Sequence, residues 1–296
     1  MSQDRRALDA TAFTTMLLLT ALWGFQQVTV KWIAEDVSFV MQAAIRSIVA
    51  TVLLVGWALL TRQPLFQRDR TLLAGIVAGL LFAAEFVFIY AGLGHTNASR
   101  MSVFIYLTPA LTALGLHVFV PGERLAPLQW AGVLVAFCGL FLAFVDGFFG
   151  GKAVTWIGDL CGMIAAVLWA ATTVVIRATA LSRVSATKTL FYQLAASALL
   201  LPVASILLGE KGVVAITPLA LASLAYQGVI VAFASYLAWF WLLTRYYAAR
   251  LSVLSSLTPL FGVLCGVVFL SEPLSATFAG AALLVVAGIV LVNLRR

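Results

Sequence analysis

Histidine and cysteine are almost missing from this chain. His95, His117, Cys138, Cys161 and Cys265 are the full set in 296 residues. No pair has the spacing of a zinc ligand set, and the cysteines lie inside apolar runs where disulfides are not expected. The sequence therefore calls for no metal and no cofactor. Charge is also scarce, at 10% of residues, where a soluble domain carries about a quarter. There is no P-loop to bind ATP, no G-x-S-x-G nucleophile elbow and no H-E-x-x-H zinc helix. Direct ATP drive and the common hydrolytic chemistries are thereby excluded, and the chain reads as a non-enzyme. The net charge of +7 does not point to nucleic acid, because the basic residues sit in short loops and at the ends and not along one stripe.

What the chain has in excess is apolar surface. Hydrophobic residues make up 63% of it, and mean hydropathy is +1.08. A soluble core cannot absorb that much, so lipid must be the solvent for most side chains. A spanning helix needs about 20 apolar residues. Ten runs meet that need: Thr11 to Ile33, Ser38 to Leu60, Thr71 to Leu93, Asn97 to Phe119, Pro127 to Val145, Val154 to Ala178, Ser185 to Leu208, Pro218 to Leu243, Ala248 to Leu270 and Ser275 to Leu294. The first of these follows Arg5 and Arg6 without an A-x-A-like cleavage site, so it reads as a span and not as a signal peptide. The connections are short and leave no room for a soluble domain.

Ten spans place both termini on one face. With the N-terminus in the cytoplasm, 13 Lys and Arg lie inside and four outside (Lys31, Arg100, Lys152 and Lys211), with Arg46 buried in a span. That asymmetry follows the positive-inside rule. The expected location is a bacterial cytoplasmic (inner) membrane, multi-pass, with both termini cytoplasmic.

The chain also repeats itself. Ala98 to Pro109 reads ASRMSVFIYLTP and Ala248 to Pro259 reads AARLSVLSSLTP, with seven of twelve positions identical at an offset of 150. Leu22-Trp23-Gly24 with Lys31 matches Leu168-Trp169-Ala170 with Arg177, and Gly-Glu-Arg-Leu at 122 to 125 matches Ser-Glu-Pro-Leu at 271 to 274. Five spans per half is an odd number, so the second copy is inverted relative to the first. The expected fold is an all-α integral membrane protein, with ten transmembrane helices forming two five-helix inverted-topology repeats, 1–147 and 148–296, around a central cavity. Such a pair can alternate between inward-open and outward-open forms about one site.

Depth along each span selects candidate site residues. At 1.5 Å per residue, Trp23 lies roughly 18 Å into the first span, and Trp169 reaches a similar depth from the other face. Tryptophans usually sit at the interfaces, so these two are candidates for a cavity wall, with helix packing as the alternative. Pro109 and Pro259 disturb the bonds to the carbonyls of Ile105 and Ser255. Thr108 and Thr258 either line a site fed by those carbonyls or bond back to them. Arg46 and Glu85 are charges within spans. They could meet as a structural pair, or serve substrate or proton coupling. Gln26, Tyr106 and Trp239 share the internal depth. The candidate substrate-binding set is therefore Trp23, Gln26, Glu85, Tyr106, Thr108, Trp169, Trp239 and Thr258. Glu123 and Glu272 are placed to favour the N-terminal dipoles of the spans that follow them. Gly75, Gly79, Ala131, Gly132, Ala279 and Gly280 are expected to let helices approach closely. With Arg46 as the one firm buried cation, a phosphorylated substrate is disfavoured.

The Trp-Gly start with Lys31, the buried Arg46, the Leu-Thr-Pro helix and the Glu-x-Leu hairpin with its Gly-rich last helix resemble the EamA-type unit of the drug/metabolite transporter superfamily. The resemblance covers nearly the whole chain, once in each half. It implies a secondary transporter, most similar to bacterial exporters of amino acids, aromatic ones among them, and related metabolites. The expected partners are a small-molecule substrate and the lipid bilayer, with no nucleic acid. A monomer is compatible with the sequence, which leaves oligomeric state open. A permease for another substrate class and an intramembrane enzyme are the alternatives, and flux set against chemical turnover separates them. The topology is tested by labelling single cysteines placed in the 62–70 and 147–152 loops with an impermeant reagent. The two loops are expected to react from opposite faces, and reaction of both from one face would contradict the ten-span reading.

Overall fold

The computed structural model describes residues 9–67, 69–120, 124–149, 155–246, 251 and 254–293. Among them the regular elements are all helices, and Val37 pairs with Val213 in an isolated β-bridge. The helices are α1 (Ala10–Trp32), α2 (Phe39–Leu60), α3 (Leu72–Leu93), α4 (Ala98–Ile105), α5 (Thr108–Phe119), α6 (Pro127–Phe149), α7 (Thr155–Ala178), α8 (Ala186–Leu207), α9 (Pro218–Ala225), α10 (Tyr236–Arg245), α11 (Thr258–Leu270) and α12 (Ala276–Asn293). A 3₁₀ turn at Ala180–Arg183 precedes α8, and a π-helical stretch, Tyr226–Ser235, joins α9 to α10.

Seven helical segments in the described residues are long and apolar enough to cross a membrane: α1, α2, α3, α4 with α5, α7, α8, and the stretch Pro218–Trp239. Three shorter apolar helices, Pro127–Ala143, Thr258–Leu270 and Ala276–Val292, cover the remaining expected spans. The start of the ninth expected span, at 248–250, lies outside the described residues. Side chains such as Leu60 and Leu207 are more than 80% exposed on the outside of the bundle, as a lipid-facing surface requires.

The fourth expected span is not one continuous helix. It breaks at Tyr106 and Leu107, immediately before Thr108-Pro109, and α11 likewise begins at Thr258-Pro259. The cause is the missing proline N–H. The freed carbonyls do not stay free, because the Thr108 hydroxyl donates to Ile105 O at 2.6 Å and the Thr258 hydroxyl to Ser255 O at 2.8 Å. A Thr-Pro pair thus breaks a helix and seals the break with its own side chain.

Two helix starts are satisfied from a distance. Neither Ser38 before α2 nor Asn97 before α4 caps its helix through its side chain. Instead Glu210, in the loop after α8, accepts from the backbone N–H of Val40 at 2.9 Å and of Met41 at 3.1 Å. Glu272, after α11, accepts from the N–H of Ala98 at 2.7 Å and from Ser99 N–H and Oγ–H at 2.9 and 2.6 Å. This corrects the expectation that Glu272 serves the helix that follows it. Its repeat mate Glu123 lies outside the described residues. A carboxylate at a helix start answers both the free N–H groups and the positive end of the dipole, and here it also ties distant parts of the chain together.

Packing follows the small residues. α12 runs against α6, α3 against α7 and α8, α2 against α8, and α1 against α11. A Cβ added at Gly132 would meet Gly288 O at 2.8 Å, and one at Gly75 would meet the Tyr192 ring at 2.6 Å. Gly280, expected at such a contact, faces open space instead. The tightest crossing on α1 is at Gly24, where an added Cβ would lie 2.7 Å from Gly262 N and from Phe261 Cβ. Backbone cannot yield there as a flexible side chain can. Gly24→Ala is expected to lower stability by about 1–3 kcal/mol, the cost of overpacking, read as a fall in melting temperature in detergent. An unchanged melting temperature would contradict the close crossing.

Candidate functional site

The middle of the bundle holds a chain of buried polar groups, all of them on helices. The Gln26 amide donates to Tyr90 OH at 3.2 Å, and that hydroxyl donates to Gln227 Oε1 at 2.9 Å. The Gln227 amide in turn donates to Gln42 Oε1 and to Ser223 Oγ, both at 3.1 Å. Ser223 donates to Thr29 O at 2.8 Å, and Gln42 donates to Val30 O and Val37 O. The network joins α1, α2, α3, α9 and the π-helical stretch. In an apolar medium such groups are stable only when each finds a partner.

Beside it lie the charges and aromatic rings. Arg46 on α2 is 1% exposed and Glu85 on α3 is 2% exposed. They do not form an ion pair within 4 Å, contrary to the pairing considered from sequence. Arg46 instead donates one guanidinium nitrogen, Nη2, to Tyr236 OH at 3.1 Å, with its plane 4.3 Å from the centre of the Phe86 ring. Tyr90 OH stands close to the guanidinium as well, while Nε and Nη1, together with Glu85 Oε2, are buried without a hydrogen bond of good geometry. Glu85 lies within electrostatic range of Arg46, Tyr106 and Tyr236.

The expected site residues fall into two adjoining groups. Tyr106, at the break between α4 and α5, meets Trp169 edge-on at 6.0 Å between ring centres and stands beside the Thr258 hydroxyl. Trp23 donates through its indole N–H to Ser235 Oγ at 2.8 Å and meets Trp239 at 5.9 Å. Ser235, the repeat mate of Glu85, is followed directly by Tyr236, so the end of the π-helical stretch links the two groups. A π-helical turn widens the helix and often marks a functional segment. Gln26 belongs to the polar network. Thr108 is 5% exposed, with its hydroxyl committed to Ile105 O and 3.4 Å from Ala166 O.

Sequence reasoning passed over Tyr90, Gln42, Gln227 and Ser223. Each is a single polar residue inside an apolar run, which was the available signal. It also passed over Asp159, which is fully buried on α7 and grips Arg100. Arg100 Nε lies 3.0 Å from Asp159 Oδ1, Nη2 lies 2.6 Å from Oδ2, and Nη1 reaches Asp146 at 3.0 Å. At the opposite end of the bundle Lys188 donates to Asp69 at 2.7 Å and to Gln67 O. The Lys188 ammonium, with the Thr71 hydroxyl, holds the Asp69 carboxyl down at about 2, so this carboxylate is ionised throughout the neutral range. The loop before α3 and the 180–185 segment before α8 border a cavity of about 550 Å³ that includes Arg70, Arg183 and Lys188 and none of the expected site residues. Among the described residues no cluster of His, Cys, Asp and Glu is arranged to hold a metal ion.

Comparison with known proteins identifies the family and the fold. The model of the EamA-like transporter family matches residues 11–145 and again 156–294. The chain is 27% identical over 283 residues to the uncharacterized transporter YvbV of Bacillus subtilis, covering 95% of this chain and 91% of that one. It is 25% identical over 279 residues to a probable amino-acid metabolite efflux pump of Escherichia coli K12, covering 90% of each. A similar pump of Salmonella typhimurium is 23% identical over 283 residues, covering 92% of this chain and 91% of that protein. A solved crystal structure, 22% identical and covering 95% of both chains, superposes with a TM-score of 0.66, which shows a shared fold. Two matches that together span nearly the whole chain settle the family: this protein is a multi-pass membrane transporter, not an enzyme, and belongs to the EamA-like transporter family.

Proposed function

We propose that the chain exports amino acids or related small metabolites by alternating access, with ten spans arranged as two inverted five-helix halves, 1–147 and 148–296. The observation that carries this reading is the cluster of buried charged and polar side chains and half-buried aromatic rings between the two family-matched segments. Glu85, Tyr106 and Arg46 come from the first segment, and Trp169, Tyr236 and Thr258 come from the second. A group of that composition is costly in hydrocarbon and has no structural duty that apolar residues could not perform. The substrate class is supported by the efflux pumps described as acting on amino-acid metabolites. The inverted arrangement is supported by the reciprocal ties at the ends of the bundle. The loop after α8 caps α2, and the loop after α2 holds Lys188 near the start of α8.

In this mechanism the substrate sits among Trp23, Gln26, Glu85, Tyr106, Thr108, Trp169, Trp239 and Thr258. The Thr-Pro breaks before α5 and α11 are the hinges, because a helix lacking one backbone bond bends there with least loss. Arg46 and Glu85 are nearly sealed in the described conformation, which is the closed stage between the two open ones. The test is flux of radiolabelled amino acids in proteoliposomes. Trp169→Ala and Tyr106→Ala are each expected to cut flux about tenfold or more while the protein still folds, since a stacked aromatic wall is lost. Unchanged flux and substrate choice in both folded variants would contradict the site.

A further inference from the structure

We propose that Arg46 and Glu85 are the two jaws of a zwitterion clamp: the guanidinium takes the carboxylate of an α-amino acid, and the Glu85 carboxylate takes its ammonium. The proposal rests on the reading of the chain as an amino-acid transporter and adds which residue holds which end of the substrate.

Both side chains are more than nine-tenths buried, at 1% and 2% exposure. A buried cation and a buried anion this near each other would ordinarily close into an ion pair, because separation leaves each one desolvated and unanswered. Here they stay apart. Arg46 is held by Tyr236 OH at 3.1 Å on one nitrogen and by the Phe86 ring at 4.3 Å beneath its plane. Phe86 follows Glu85 on α3, so the ring that supports the guanidinium also fixes where the carboxylate starts. Two guanidinium nitrogens and one carboxylate oxygen are left with hydrogen-bonding capacity and no partner. Tyr236 lies within electrostatic range of both charges and stands against them from the other matched segment.

A ligand that satisfies both must carry an anion and a cation on one small frame and must be neutral overall. An inorganic anion or an amine answers one jaw and leaves the other unpaired in the membrane. An α-amino acid answers both, and its side chain then meets the Tyr106 and Trp169 rings. A site built to hydrogen-bond a group rejects analogues that lack it, because its own polar atoms are then stranded.

The test uses proteoliposome flux of L-phenylalanine, 2-phenylethylamine, which lacks the carboxylate, and 3-phenylpropionate, which lacks the ammonium. L-leucine and L-threonine are run beside them, each with its amine and acid analogues. Wild-type protein is expected to move at least one of the zwitterions and to prefer it about tenfold or more over both of its analogues. Arg46→Gln is expected to lose the zwitterion and the preference against the amine alone. Glu85→Gln is expected to lose the zwitterion and the preference against the acid alone. If Arg46→Gln does not fold, the Glu85→Gln arm decides by itself, because that change is nearly isosteric. Wild-type flux of an analogue equal to that of its zwitterion overturns the clamp while leaving the transporter reading intact. Folded variants that keep wild-type preferences, or lose all three compounds equally, also overturn it. Failure of wild-type protein to move any zwitterion overturns the clamp and the amino-acid reading together.

Discussion

In hydrocarbon a polar group must find its partner within the protein, and this constraint organises the whole structure. The Thr-Pro breaks keep their freed carbonyls occupied through Thr108 and Thr258. Arg100, which would be expensive alone, is surrounded by Asp159, Asp146 and Ala143 O. Gln26, Tyr90, Gln227 and Gln42 pass hydrogen bonds from one to the next. Against that background the open valences of Arg46 and Glu85 are conspicuous, because they are the only charged groups among the described residues whose buried atoms lack a hydrogen-bond partner. That contrast is what singles them out for the proposed clamp.

The second constraint comes from helix ends. α2 and α4 carry no effective side-chain cap of their own and depend on Glu210 and Glu272 from far along the sequence. Such contacts tie the two matched segments together at their rims, in addition to the helix-against-helix packing that joins them along their lengths. Close packing at Gly24, Gly75 and Gly132 presses helices of the first segment against helices of the second.

Much of the fold was legible in the sequence, since lipid imposes a simple rule of length and hydropathy. The disturbed bonds at Ile105 and Ser255 were legible, because a proline ring removes a specific hydrogen bond, but that the helix ends outright at Tyr106 and Leu107 was not. Helix-end partners were not legible in the same way. Glu272 was assigned to the helix after it, because proximity in sequence is the signal a single chain offers, while its true partners are Ala98 and Ser99. The meeting of Arg46 and Glu85 could not be judged either. Depth along a span gives one coordinate, and whether two side chains at similar depth touch depends on rotations of both helices. Depth did bring Tyr106 to Trp169 and Trp23 to Trp239, since residues at one level of a small bundle have few neighbours to choose from. Tyr90 and Gln227 escaped notice because a lone tyrosine or glutamine in an apolar run looks like any other until its partners are known.

Exposure of the central site to each face in turn is the claim on which the mechanism stands. Ser235 is bonded to Trp23 of the proposed site and is 3% exposed, and cysteine replaces serine there with little change of shape. With Cys138, Cys161 and Cys265 replaced, a single cysteine at Ser235→Cys in oriented vesicles can be offered a charged, impermeant thiol reagent on either side. Alternating access predicts slow modification from both faces, with each abolished when a cross-link closes the mouth on that face. Modification from one face only, whatever the cross-link, or from neither face, would contradict it.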